Sequence, residues 1–232
     1  MPAGWSYRLG DSGGAQRIAI VYDGSRVRLD EWVEFDVPER LVDGKDIFDR
    51  DPVAAYVTLL DGTTPRNDLV VVGLQLAGGQ HLAANHDAAM KELLIRLESA
   101  QLGGQLGGID EHDVLLCGTF NANAFQPPVE EFFVMMDRED GPWDLLVGAE
   151  AEVTRLSGTP LALRSSAIDY IIASRSGGNR RGLSGEEIRA AKATVHQQLI
   201  EAAAGADEFR RNLTDHLPVT VEVRITRDTD GP

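Results

Sequence analysis

The sequence predicts an α/β sandwich with mainly antiparallel sheets. Three observations carry that expectation. Segments that read as strands outnumber helical ones, four of them precede the first helical pattern, and the helices are scattered among the rest. A doubly wound parallel sheet needs regular strand–helix alternation, which is missing here. At 232 residues, with 43% apolar side chains and no visible repeat or linker, a single folded domain over residues 1–232 is expected.

The elements follow in order. Gln16 to Tyr22 reads as a strand, Asp23-Gly24-Ser25 as a turn, and the alternation from Val27 to Val37 as the returning arm of a hairpin. Pro52 to Leu59 is a third strand, ended by Asp61-Gly62. Asp68 to Leu76 is a fourth, apolar on both faces at its centre as befits a covered central strand. A helix follows Gly78-Gly79, with Asn85 as its expected N-cap and Ala88, Ala89, Leu93, Leu94 and Leu97 as its stripe. The glycine run Gly103 to Gly108 leads into a strand at Val114. No Lys-Ser/Thr pair follows it, so it is a loop and not a phosphate cradle.

Pro127-Pro128 opens a short helix through Met136, whose Met135-Met136 pair reads as core filling beside Phe132. Ile168 to Ala173 is a strand. Ser184 and Glu187 form a capping-box pattern, which predicts a helix to about Ala204 closed by Gly205. Pro218 to Ile225 is the last strand, followed by a frayed tail.

Bulk composition narrows the function classes. A formal charge of −15 counts against unassisted wrapping of DNA or RNA, since phosphate binding draws on clustered Lys and Arg. The single cysteine, Cys117, excludes an internal disulfide and reads as a core thiol. No stretch approaches the roughly 18 apolar residues of a membrane span. Without a basic, apolar leader at Met1, a cytoplasmic protein is expected. His81 and His86 bracket a helix start at poor spacing for zinc and read as surface, and His196 as the polar face of a helix.

Three apolar strands end in polar residues: Val114 to Asn121, Ala167 to Ile172, and Thr214-Asp215-His216-Leu217-Pro218-Val219. An adjacent Asp and His at a strand mouth put a metal ligand or orienting carboxylate beside a general acid or base. Taken singly, Asp169 also reads as an exposed strand acid, Asn121 and Asn123 as turn residues, and Asp215-His216 as a strand-entry turn.

Together and in this order, Gly118-Thr119-Phe120-Asn121, Ser166-Ala167-Ile168-Asp169-Tyr170-Ile171 and Thr214-Asp215-His216-Leu217-Pro218-Val219 resemble the motifs of the endonuclease/exonuclease/phosphatase family. These are metal-dependent phosphoesterases related to deoxyribonuclease I. The likeness runs from about Gln16 to Ile225 and implies a two-sheet sandwich flanked by helices. It also implies Mg²⁺ or Mn²⁺ as cofactor and phosphoester hydrolysis as the chemistry. Carried over by position, His216 would be the catalytic histidine and Asp169 would orient water. Asp215 would bind metal or orient its partner. Asn121 would touch the phosphate, with Asn123, Gln75 and Thr119 alongside it as substrate contacts. Arg50 would support the loop before Pro52.

Three departures change what the resemblance implies. Thr119 stands where the family carries an aspartate, and a threonine hydroxyl neither takes a proton near neutral pH nor brings charge to a metal. Gln75 stands in place of a second histidine. Only Met1 to Gln16 precede the Arg17 region, so the first strand–helix unit and its metal-binding glutamate are expected to be missing. The expectation is therefore a phosphoesterase-like domain, impaired in hydrolysis, for a small phosphoester or a nucleic-acid phosphate. A non-catalytic binding or assembly module on the same fold is the alternative. A sheet without its first strand would expose an edge, which a second copy or a partner chain would cover.

Overall fold

A computed structural model describes residues 3–36, 41–42, 45–46, 48–77, 83–122, 124, 131–136, 141–146, 154–157, 162–163, 168–175, 193–212 and 216–223. In chain order the elements are β1 (Trp5–Leu9), β2 (Ala19–Asp23), β3 (Val27–Glu34), β4 (Leu41–Val42), β5 (Lys45–Asp46), β6 (Phe48–Asp61) and β7 (Thr64–Leu76). Then come α1 (Ala83–Leu102), β8 (Val114–Thr119), α2 (Glu131–Met136), β9 (Trp143–Leu145), β10 (Leu156–Ser157), β11 (Ala162–Leu163) and β12 (Asp169–Ser174). The chain continues through β13 (Thr194–Val195), α3 (Gln198–Ala202), α4 (Ala206–Asn212) and β14 (Val219–Thr220).

The expected mixed α/β architecture is present. One six-stranded sheet, ordered β3-β6-β7-β8-β12-β9, dominates it. Every pairing in that sheet is antiparallel except β7 with β8, whose parallel register requires the crossover that α1 provides. One face packs Val70, Val72, Leu74 and Leu76 of β7 against Met90, Leu93 and Leu97 of α1. Each such fully buried side chain stabilises the fold by about 1.5–3 kcal/mol. The other face carries Ala55, Val57, Leu69, Leu115 and Ile171, covered by Ile20 of β2 and by Val219, Val221 and Val223. The second layer of the sandwich is thus built, among the described residues, from two-stranded ladders, β1–β2 and β13–β14.

Several expected elements differ. β2 does not return as a hairpin with β3. It pairs with β1, an unforeseen strand, while β3 leaves the turn and runs along β6, where Val53 to Leu59 offers a long apolar partner. α1 begins at Ala83, so Asn85 lies inside the helix and does not cap it. The buried stripe of α1 is Ala89, Met90, Leu93, Leu97 and Ala100, with Leu94 half-buried. His86, expected at the surface, is 2% exposed and its Nε2 lies 2.8 Å from the carbonyl of Ala77, which ties α1 to the end of β7.

The long helix expected to reach Ala204 is replaced. Ser184 and Glu187 lie outside the described residues, Thr194-Val195 is extended against β14, and two short helices follow. β-branched residues with a cross-strand partner favour that outcome. His196 therefore sits after a strand, with its Nε2 2.8 Å from the Thr220 hydroxyl, not on a helix face. Gly205 does close α3: at φ +116 its N–H reaches back to Ile200 O at 2.8 Å. The last strand is limited to Val219–Thr220, and Val221 to Val223 pack on the sheet without a ladder of their own.

Candidate functional site

The site lies at the end of the large sheet where β7 and β8 finish and β12 begins. Register places Arg50, Gln75, Thr119 and Asp169 opposite one another across β6, β7, β8 and β12. Side chains of one row on neighbouring strands share a face, so the strand order alone delivers this group to one edge. Gly118 makes the row possible. Its φ is +152, and a Cβ there would stand 1.9 Å from the carbonyl oxygen of Leu74, so only glycine lets β8 come this close to β7.

Asp169 is the hub. The Thr119 hydroxyl donates to its Oδ1 at 2.6 Å. His216 Nδ1 lies 2.9 and 3.0 Å from its two oxygens. A carboxylate can only accept, so Nδ1 carries the proton, and in a histidine held this way Nε2 is the nitrogen that exchanges protons with a substrate. The Asp169 side chain is 13% exposed and that of His216 31%, so the pair is shielded yet reachable. His216 arrives through a single antiparallel bridge to Arg155.

Together Gln75, Thr119, Asp169 and His216 line a cleft of about 420 Å³, floored by Cys117, Gly118 and Ile171 and bordered by Leu217 and Val219. Burial pushes the Cys117 thiol up to about 12, so it stays neutral and is no nucleophile at ordinary pH. Asn121 does not join the lining. Its backbone is left-handed (φ 52) and its amide donates to the carbonyl of Leu76 at 2.6 Å, fixing the loop after β8 to the end of β7. Asn123 and Asp215 lie outside the described residues. Arg50, expected to support the loop before Pro52, lies within β6, and its Nε donates to Gln16 O at 2.7 Å, holding the segment ahead of β2 instead. A second cavity of about 450 Å³, bordered by Leu94, Glu98, Glu111, Trp143 and Arg175, opens at the opposite end of β8 and β12, away from this group.

One buried residue beside the site gave no sequence signal. Thr154 is fully buried and bonds to both sides of the Asp169–His216 pair. It lies in an ordinary Val-Thr-Arg-Leu run, and only the three-dimensional contacts reveal it.

The described cleft offers a poor donor set for the Mg²⁺ or Mn²⁺ that the resemblance implies. Among the described residues no three His, Cys, Asp or Glu side chains are grouped to hold a metal. Asp169 is the one carboxylate among the described cleft residues, and Thr119 and His216 already hold it. A hard divalent cation prefers several oxygen ligands, charged ones above all, so these residues do not fit it.

No protein-family model matches the chain, and no curated protein matches it by sequence. Solved structures do. A mannosyl-6-phosphatase from Bacteroides thetaiotaomicron is 16% identical, with a TM-score of 0.57 over 95% of this chain and 77% of its own. An endonuclease/exonuclease/phosphatase family protein from the same bacterium is 15% identical, with a TM-score of 0.53 over 93% of this chain and 74% of its own. The human Nocturnin catalytic domain, solved with a bound sulfate anion, is 12% identical, with a TM-score of 0.54 over 83% of this chain. The chain spans 63% of that domain, less than two thirds of its length. No helix among the described residues is long and apolar enough to cross a membrane. The mixed α/β architecture and the structural likeness agree: the fold of this chain is that of the endonuclease/exonuclease/phosphatase proteins, the deoxyribonuclease I-like fold.

Proposed function

We propose that this chain is a phosphoesterase-like domain whose cleft takes the phosphate of a small phosphoester and whose hydrolytic chemistry is impaired. The carrying observation is the Asp169 carboxylate held between the Thr119 hydroxyl and His216 Nδ1. That pairing fixes the imidazole through Nδ1 and leaves Nε2 as the nitrogen that meets a phosphoryl oxygen or a leaving oxygen. Water activation is the weak point. Thr119 donates a hydrogen bond to Asp169 and cannot act as a base, and Gln75 supplies an amide where an imidazole would carry charge. Loss of one member of a catalytic unit commonly costs several orders of magnitude in rate. A charge of −15 disfavours a long polyanion, and a cleft of this size suits a small ester. The likeness to a protein named as a mannosyl-6-phosphatase supports the same ligand class.

The test is twofold. Inorganic phosphate binding is measured by calorimetry, and hydrolysis of aryl phosphomonoesters and phosphodiesters is followed with Mg²⁺ or Mn²⁺, each against His216→Ala. Saturable phosphate binding weakened at least tenfold by the substitution is expected, with slow turnover that the substitution abolishes. Equal binding by both proteins would sink the reading. Binding with no turnover above His216→Ala would make the domain a phosphate-binding module, a reading that the engaged Thr119 hydroxyl and Asn121 amide favour.

A further inference from the structure

The Asp169–His216 pair is assembled from parts of the chain that share no sheet. Asp169 opens β12 of the large sheet, whereas the segment after His216 enters β14, which among the described residues pairs with β13. Among the described residues no ladder between β12 and β14 therefore sets the distance between the two side chains. Thr154 does span it. Its Oγ1 accepts the N–H of Ile168 at 3.0 Å and that of Asp169 at 3.1 Å. Its carbonyl oxygen accepts the N–H of Leu217 at 2.7 Å, and the next residue, Arg155, bridges to His216. The residue is 0% exposed, so water does not compete for these bonds.

We propose that Thr154 is the positioning residue of the site: one hydroxyl and one carbonyl fix the start of β12 and the His216 segment to the same point. The chemistry suits the residue type. A hydroxyl oxygen has two lone pairs and accepts two N–H groups, which a valine of the same shape cannot do and a serine can. Ile168 is also held from the other side, its carbonyl accepting the N–H of Phe120 at 2.7 Å. Asp169 is thus anchored at its backbone by Thr154 and at its carboxylate by Thr119 and His216. That the pair serves a phosphate ligand rests on the function proposed above; the positioning itself does not.

The experiment compares Thr154→Val and Thr154→Ser in the full chain. The first readout is the low-field Nδ1–H resonance of His216 in ¹⁵N-histidine-labelled protein, assigned by its loss in His216→Gln. It is independent of ligand and of turnover. The second is affinity for inorganic phosphate. Folding is checked by circular dichroism and a cooperative melt. The expected result is a folded valine variant that loses the Nδ1–H resonance and at least tenfold in phosphate affinity, with both restored in the serine variant. A folded valine variant that keeps the resonance at its wild-type position overturns the proposal. So does a serine variant that behaves like the valine one. Should the valine variant fail to fold, hydrogen exchange on the wild type decides: the Ile168 and Asp169 amides are expected to be protected at least a hundredfold over free chain, and unprotected amides overturn it. If the wild type binds no phosphate, the proposed function falls while the resonance still decides the role of Thr154.

Discussion

His216 Nδ1 stands 2.9 Å from the Asp169 carboxylate although the two residues are 47 apart in sequence and the His216 segment belongs to no strand of the large sheet. Two donors converge on that one acid, so removing it strands both. Asp169→Ala would leave the Thr119 hydroxyl and the imidazole N–H without their acceptor. A loss of about 2–3 kcal/mol is expected in urea unfolding, with Asp169→Asn in between because its carbonyl oxygen still accepts. An unchanged midpoint for the alanine variant would show that the pair is not formed in solution.

Thr119→Asp tests the chemistry missing from the cleft. A second carboxylate facing Asp169 across the β8–β12 register introduces like-charge repulsion. Without divalent ions the melting temperature is expected to fall by roughly 2–8 °C. Mn²⁺ should then recover it in the variant while moving the wild type little, and aryl phosphodiester hydrolysis should rise at least tenfold. Equal responses to Mn²⁺ in both proteins would show that position 119 does not govern metal binding.

Gly118 carries the close approach that builds the site. Gly118→Ala would drive a methyl into the Leu74 carbonyl, at 1.9 Å, from a backbone conformation that L side chains rarely adopt. About 3–5 kcal/mol of destabilisation is expected in chemical denaturation. A substitution costing under about 1 kcal/mol would mean that β7 and β8 part easily at this row.

Cys117 is partly exposed on the cleft floor, so its reactivity in the folded protein reads out the ionisation of its thiol. With its ionisation pushed up to about 12 by burial, iodoacetamide at pH 8 should leave it unmodified for hours in the folded protein and label it fully in urea. Rapid labelling without denaturant, read by mass spectrometry, would show that the thiol ionises far more readily than its desolvated setting allows.

How much of this was legible in the sequence follows from which forces are local. Val70 to Leu76 and Val114 to Thr119 announced themselves because a covered strand must be apolar on both faces, and the order of polar tips at Thr119, Asp169 and His216 located the cleft. Pairing was not legible. β2 met β1 instead of β3 because partners are chosen by non-local packing, of which a turn signal at Asp23 to Ser25 says nothing. Asn121 read as a substrate contact, yet its amide is turned back to Leu76, a hydrogen bond that exists only once β7 is in place. Thr154 was invisible for the same reason: its partners, Ile168, Asp169 and Leu217, lie up to 63 residues away along the chain.

Glu34 gives a prediction with a sign. Burial raises its ionisation, but the N–H groups of Asp11 and Ser12, donating to its carboxylate at 2.6 and 2.8 Å, outweigh that and hold it below the usual carboxylate range. A carboxyl whose folded value is depressed stabilises the protein fully above its unfolded value, near 4.5, and loses that contribution as pH falls through the folded value. The bonds fasten the end of the β1 segment to β3, and Ser12 in turn accepts the N–H of Asp51 at 2.8 Å. Glu34→Gln should therefore be less stable than wild type at pH 7, and the gap should close steadily below pH 4.5 as the wild-type acid is protonated. Urea midpoints for both proteins at pH 7, 5, 4 and 3 check this. A gap that stays constant over that range would mean that the carboxylate charge contributes nothing and that only the shape of the side chain matters.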